Sequence, residues 1–371
     1  MNTISNITRT PATLTQSDDV RAIARARLNT VIENGKASAG SVISRVLSTI
    51  PEDRIVSSTA VRGLMTKEGE LRVSFGEKGE LRGMHRHARR QLCDRLSIPN
   101  SYADDLCVAG EDSGWKRDLF GKMMREHLDH AGERYLMRTV EGQVRGVLSD
   151  KFRRLDGRPM LDAFVSACNS IGALPTEGVA TDLRYSVRAI IPQIFEPIPG
   201  EFVVFGLSQT NSDFGAAGYS VSAFALRLVC LNGMVGENGI KQVHLGGRLP
   251  ENIELSAETY RKDTATMVSA TTDVVRALLA PAAIEKRINV IKAAAATEVN
   301  SAAMFKKIGA LLTKGEKEAV KQAYEGDDVL MLPAGQTAYR FSNALSWVAN
   351  SVKDEERKLD LQAAAGAIVA A

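Results

Sequence analysis

An α+β fold, with a mainly antiparallel sheet in the middle of the chain and helices on both sides of it, is predicted by three observations. Residues 134–148 alternate at the two-residue period of a strand on either side of Glu141-Gly142, a hairpin turn pair. Residues 17–34 repeat apolar positions at helical spacing. From about Ser256 onward alanine becomes common, strand formers thin out and one helical pattern follows another. The 371 residues accordingly divide into a flexible tail (1–16), a mainly helical N-terminal part (17–132), an α+β sheet core (133–255) and a helical C-terminal part (256–371).

In order along the chain, Ser17 followed by Asp18 and Asp19 caps a helix with acid in its first turn, and Val20, Ile23, Ala24, Leu28, Val31 and Ile32 carry it to Asn34-Gly35. The spacing predicts a second short helix over 41–49, stopped by Pro51. Residues 71–75 read as a small strand, and the charged repeat around it predicts a hairpin turn over 76–79. Helices are expected over 84–96, from Pro99 through Leu106, and over 115–128.

After the 134–148 hairpin comes a basic loop and a helix over 160–171. A strand over 183–191 places Arg184 and Arg188 on one face, opposite Tyr185, Val187 and Ala189. Residues 202–207 read as a buried strand and SQTNSDFGAAG as a polar, glycine-rich loop. Residues 219–230 form the last long strand, ending at an Asn232-Gly233 turn, and the glycines of 232–247 read as turns between short strands. Helices are then expected over 256–279, 282–296, 300–312, 315–325, 336–352 and 354–369, with Pro281 and Pro333 at breaks.

Composition narrows the function classes. Aromatic residues are only 5% of the chain, which weakens any surface built on stacked bases. The excess of 47 Lys and Arg over 44 Asp and Glu is too small to identify a nucleic-acid binder, so any basic surface must come from local clustering. Cys93, Cys107, Cys168 and Cys230 contain no C-x-x-C pair, which fits neither a disulfide framework nor a zinc site and points to a reducing, cytoplasmic setting. No stretch reaches the roughly 20 apolar residues needed to span a bilayer, so no membrane association is expected.

Motifs specific to one chemistry are missing. His127 and His130, with His85 and His87 upstream, lack both a cysteine partner and the H-E-x-x-H pattern, and the bland reading is a helix end where cationic histidine meets the dipole. Ser113 and Lys116 match S-x-x-K without its companion motifs, and neither G-x-S-x-G nor a phosphate-cradling GxxxxGK[ST] occurs. We therefore expect no cofactor, no metal and no catalytic residue.

What remains is clustered guanidinium. Arg145 lies on the hairpin, Lys151, Arg153, Arg154 and Arg158 crowd the loop after it, and Arg184 and Arg188 share a strand face. Such forks bind phosphates without reading sequence. The competing reading is that nearby acids, Asp150, Asp156 and Asp162, pair with them.

Four phrases are similar to a phage- and plasmid-borne family, the domain of unknown function number 932: HARRQLCDRLSIPNSYADDL at 87–106, RYLMRTVEGQVRGVLSDKFRRLD at 134–156, ALRLVCLNGMV at 225–235 and TAYRFSNALSWVANSV at 337–352. The resemblance implies a mobile-element origin, a bacterial host cytoplasm and an α+β fold, and it supplies no activity or cofactor. In context it also resembles single-strand annealing proteins, which bind nucleic acid as oligomeric rings without ATP. The expectation is a non-enzymatic nucleic-acid-binding protein, single-stranded DNA favoured, acting in annealing or recombination through Arg145, Lys151, Arg153, Arg154, Arg158, Arg184 and Arg188. The alternative is a structural protein that forms homo-oligomers through its C-terminal helices.

Overall fold

The computed structural model describes residues 17–75, 79–228, 232–242, 255–326 and 332–370. A long helix α1 (Ser17–Ser48) leads into four short strands, β1 (Glu52–Ser57), β2 (Arg62–Met65), β3 (Leu71–Ser74) and β4 (Leu81–Met84). Helices α2 (Arg86–Arg95), α3 (Asn100–Leu106) and α4 (Gly114–Ala131) precede the hairpin β5 (Arg134–Val140) and β6 (Gln143–Ser149). Next come α5 (Gly157–Ser170) and six strands: β7 (Leu174–Ala180), β8 (Tyr185–Ile190), β9 (Phe195–Ile198), β10 (Glu201–Asn211), β11 (Tyr219–Arg227) and β12 (Asn232–Gln242). The C-terminal part holds α6 (Ala257–Leu278), α7 (Pro281–Ala296), α8 (Ser301–Ile308), α9 (Lys314–Glu325), α10 (Ala338–Ser351) and α11 (Glu355–Ala370). The class is α+β, as predicted.

The expected single sheet is two. One has the order β1-β5-β6-β4-β3-β2, antiparallel except for the parallel pair β4–β6. The other runs β12-β11-β10-β8-β7, with β9 on β10, and is antiparallel throughout. Residues 17–132 therefore carry four strands as well as helices. One of them, β3, is the strand read over 71–75; the others are four to six residues long, too short for a clear alternation to stand out. Residues 76–78 of the expected hairpin turn lie outside the described residues, although β3 and β4 pair antiparallel on either side.

Two glycine readings are corrected. Helix α1 runs through Asn34-Gly35 without a break, so the separate helix over 41–49 is its continuation. A Cβ at Gly35 would collide with the Thr176 carbonyl, and one at Gly178 would collide with Ala39 and Val42, so these glycines let α1 lie directly on β7. Close approach outweighs the helix cost of glycine, about 1 kcal/mol. Asn232-Gly233 likewise begins β12, paired with β11 at Asn232↔Arg227, and Ser346 Oγ donates to the Gly233 carbonyl at 2.7 Å. Gly236 and Gly239 also lie within β12 and not in turns between short strands, and Gly246 and Gly247 lie outside the described residues.

Elsewhere the local chemistry works as read. Glu141 (φ 51°) and Gly142 (φ 76°) both adopt positive φ, the geometry of a type I′ hairpin turn. Pro281 sits in the first turn of α7, and Thr313 with Glu316 forms a reciprocal capping box on α9. The helix expected from residue 84 starts at Arg86, because Met84 still belongs to β4. Among the described residues no single helix is long and apolar enough to cross a membrane.

Three apolar layers result. Tyr135, Met137, Val144 and Val147 pack against Leu92, Phe120, Met124 and Leu128 of α2 and α4. In the second sheet, Ile190, Phe202, Val204 and Phe224 cover Ala24 and Leu28 of α1. Their alternate neighbours, including Val203, Phe205, Leu207, Val221 and Ala223, join the largest cluster with Phe164 of α5, Phe341 and Leu345 of α10, and Leu361 of α11.

The sheets are tied together by a buried ionic knot. Arg138, only 1% exposed, donates from Nε to Asp53 Oδ1 at 2.7 Å, from one terminal nitrogen to Asp156 Oδ1 at 2.7 Å, and from the other to the Asp213 carbonyl at 2.8 Å. Asp53 belongs to β1, Asp156 precedes α5, and Asp213 belongs to the β10–β11 loop. Asp213 Oδ1 accepts the Gly157 N–H at 2.6 Å. Breaking a buried pair by removing one partner leaves an uncompensated charge. Arg138→Met should therefore lower the unfolding free energy by about 3–5 kcal/mol in a urea titration, whereas a loss below about 1 kcal/mol would show that the knot is dispensable.

Burial lifts the Asp213 carboxyl to about 6, against the pull of Arg138. A folded-state pKa above the unfolded value means that this group's contribution is fully present below the unfolded value, about 4, and is lost as pH rises through about 6. Asp213→Asn keeps the acceptor for Gly157 and removes the titration. Its urea midpoint relative to wild type should rise between pH 4.5 and pH 7.5, and a pH-independent difference would contradict the assignment.

Candidate nucleic-acid interface

The sequence-predicted cations do not converge as a set. Arg153 grips Asp263 of α6 with both fork nitrogens, at 2.6 and 2.5 Å. Arg154 pairs with Asp53 at 3.1 Å and lies 4.8 Å from the centre of the Tyr260 ring. Both residues thus dock α6 onto the knot. The pairing reading was correct in kind but not in partners: Asp263 and Asp53, not the adjacent acids, hold these arginines.

Arg188 is buried. It pairs with Glu177 of β7 at 2.8 Å, donates to Gln362 of α11 and lies 5.4 Å from the centre of the Phe224 ring. Lys358 of α11 also reaches Glu177, at 3.3 Å. Burial pushes the Glu177 carboxyl up, and Arg188 with Lys358 outweighs that and pulls it below its ordinary range. The expectation that Arg184 and Arg188 share an exposed strand face fails, because Arg184 lies in the turn before β8 and α11 covers Arg188.

Two predicted residues do meet. The end of α1, the β5–β6 hairpin, the β7–β8 turn and the β10–β11 loop enclose a cleft lined by Arg45, Arg145 and Arg184. Arg145 arrives there through a β-bulge: Arg138 faces Gly146 while Thr139 faces Val144, which leaves Arg145 as the extra residue on β6. A bulge re-aims a side chain that regular pleating would otherwise direct elsewhere. Arg145 makes only long contacts, 3.5 Å to the Asp182 carbonyl and 3.7 Å to Glu141 at the rim.

Arg45 donates to Asp182 Oδ1 at 2.8 Å and to the Ala180 carbonyl at 3.4 Å. The turn that holds Arg184 is fixed by Thr181, whose Oγ1 accepts the N–H groups of Leu183 and Arg184, both at 3.2 Å. Ser212 Oγ donates to the Leu183 carbonyl at 2.6 Å, which fastens this turn to the β10–β11 loop. At the neighbouring start of α2, burial lowers the basicity of His85; Asp182 opposes this shift, and His87 and Arg145 add to it.

Of the remaining predicted cations, Arg158 lies near this arrangement. Arg158 is exposed in the first turn of α5, beside Gly157, which packs closely against the cleft residues Tyr185 and Val46. Lys151 is half-buried in the loop after β6. His130 Nδ1 lies 2.8 Å from the Glu126 carbonyl within its own helix, in keeping with the helix-end reading.

Arg45 escaped the sequence reading because α1 was ended at Gly35. The missed signal was its isolation: it is the only charged residue in the last three turns, ASAGSVISRVLS, between the buried Val42 and Val46.

Chemically, the cleft gathers three guanidinium groups with the carboxylates of Asp182 and Asp213. Its enclosed part is about 40 Å³, enough for a few waters or the oxygens of one phosphate, and far too small for a nucleobase. Arg45 pairs with the Asp182 carboxylate and Arg145 reaches its backbone carbonyl, with Glu141 at the rim and Asp213 turned inward to Gly157. No family model, curated protein or solved structure matches the chain in the comparisons made. Asp182→Asn should raise the affinity for inorganic phosphate about 3- to 10-fold by freeing Arg45, measured by calorimetric titration at low salt; unchanged or weaker binding would show that Asp182 does not compete with the anion.

Proposed function

We propose that this chain is a non-enzymatic nucleic-acid-binding protein that holds a single strand by its phosphate backbone at the Arg45–Arg145–Arg184 cleft. The observation that carries this reading is the convergence of three arginines from three separate elements on a space sized for a phosphate. Guanidinium forks suit phosphate oxygens, and a cleft without room for a base gives backbone contact without sequence readout. Arg158, exposed beside Gly157, adds a cation near the cleft. Arg153, Arg154 and Arg188 leave the contact set, since each holds parts of the fold together.

A phage or plasmid setting, with a role in single-strand annealing or recombination, rests on the resemblance of the four phrases quoted above. The alternative, assembly through the C-terminal helices, would use the apolar side chains these helices leave outward. Those helices bury their inner faces in the main core, leaving large apolar side chains such as Leu311 and Trp347 outward.

Anisotropy titrations of labelled oligo-dT over a salt series test the proposal. Wild type should bind at low salt with log K falling against log salt by about 0.7 per phosphate contact. Arg145→Ala with Arg184→Ala should weaken binding at least about 10-fold and flatten that slope by about 1.4. Arg125→Ala, on the exposed face of α4, should change neither. Absence of binding at low salt, or wild-type behaviour of the double variant, would overturn the proposal.

A further inference from the structure

Two neighbouring helices of the C-terminal part bring exposed lysines together. Lys306 and Lys307 stand in the last turn of α8, and Lys314, Lys317 and Lys321 recur at i, i+3 and i+7 on one face of α9. A Cβ at Gly309 would lie 3.3 Å from Lys317 Nζ, so the lysine stripe of α9 runs beside the turn (Gly309–Leu311) that closes α8. Among the described residues none of the five lysines pairs with a carboxylate. The acids of this segment are mostly engaged elsewhere. Glu316 is held by Arg357 and Glu325 accepts from Ser301, which leaves Glu318 as the one acid among the lysines.

An apolar side chain stands out from this basic surface. Leu311, between the two groups of lysines, is 58% exposed. Its backbone is fixed. Arg357 of α11 donates to the Leu311 carbonyl and to both Glu316 oxygens, at 2.9 and 2.6 Å, and Glu316 in turn accepts the Thr313 N–H at 2.8 Å.

Lysines alone suit any polyanion, and a solvated face is their usual place. A leucine held among them gains nothing from water or from phosphate. It does gain from a bilayer, where anionic head groups border apolar chains and lysine stems lie along the apolar surface with their heads in water.

We infer that this face docks on an anionic membrane surface, with Leu311 inserted among the head groups. Docking of this kind needs no spanning helix, so it is compatible with the absence of a membrane-spanning stretch. The surface is distinct from the arginine cleft and does not depend on the nucleic-acid reading.

Co-sedimentation of the full chain with vesicles tests the inference. The protein should sediment with phosphatidylcholine vesicles containing about 30% phosphatidylglycerol, less so as salt rises, and stay in solution with phosphatidylcholine alone. Lys314→Ala with Lys317→Ala should weaken vesicle binding at least about 10-fold, and Leu311→Ser at least about 3-fold, while the lysine variant binds oligo-dT as wild type does. Failure to sediment with the anionic vesicles, or wild-type vesicle affinity in either variant, would overturn the inference. So would a lysine variant that loses oligo-dT binding and keeps vesicle binding, or light scattering in which Leu311→Ser dissolves a dimer with vesicle binding unchanged.

Discussion

The fold depends on one buried guanidinium. Arg138 sits on the face of β5 away from α2–α4, where an apolar side chain would ordinarily go, and instead gathers Asp53, Asp156 and the Asp213 carbonyl. A lone charge in that position would cost several kcal/mol in desolvation. The neighbouring acids offset this only if β1, the start of α5 and the β10–β11 loop are all in place. The knot therefore converts an electrostatic requirement into a geometric one: the two sheets have a single satisfactory arrangement. Arg153 and Arg154 extend it to α6, so the C-terminal helices are registered against the same centre.

The arginine cleft is a by-product of that registration. Its walls come from four places distant in sequence, and the β10–β11 loop serves both sites. Asp213 and its neighbour Ser212 do so in opposite directions, one carboxyl to Gly157 at the knot and one hydroxyl to the Leu183 carbonyl behind Arg184. Phe214, next in line, accepts from His87 and Gln91 of α2 through its carbonyl, at 3.0 and 2.9 Å. The turn and loop behind the cleft are tied in place by these contacts, while Arg145 itself makes only long ones.

The sequence disclosed elements better than it disclosed their meetings. Hairpin chemistry at Glu141-Gly142 and the proline at the start of α7 are local signals, and the structure uses them as read. Gly35 and Asn232-Gly233 misled because a glycine marks either a turn or a close approach, and only the facing residue decides which. Arg188 misled similarly: strand periodicity assigned it a face, but whether that face meets water depends on α11, some 170 residues later. Arg145 was singled out for its charge, while the bulge that aims it follows from the register of two strands and has no single-residue signature. The knot was hidden because its acids and its arginine come together only through the tertiary fold.

The proposed function puts the phosphate backbone where the two sheets join, and not on the exposed arginines of α2, where Arg86 and Arg90 surround Asp104. Mass-spectrometric mapping of ultraviolet cross-links between the full chain and a thiouridine-containing single strand addresses that directly. The account predicts cross-linked peptides from residues 141–146 and 181–184 and from the end of α1 near residue 45. Cross-links confined to α2, or spread over the surface without enrichment at these three segments, would contradict it.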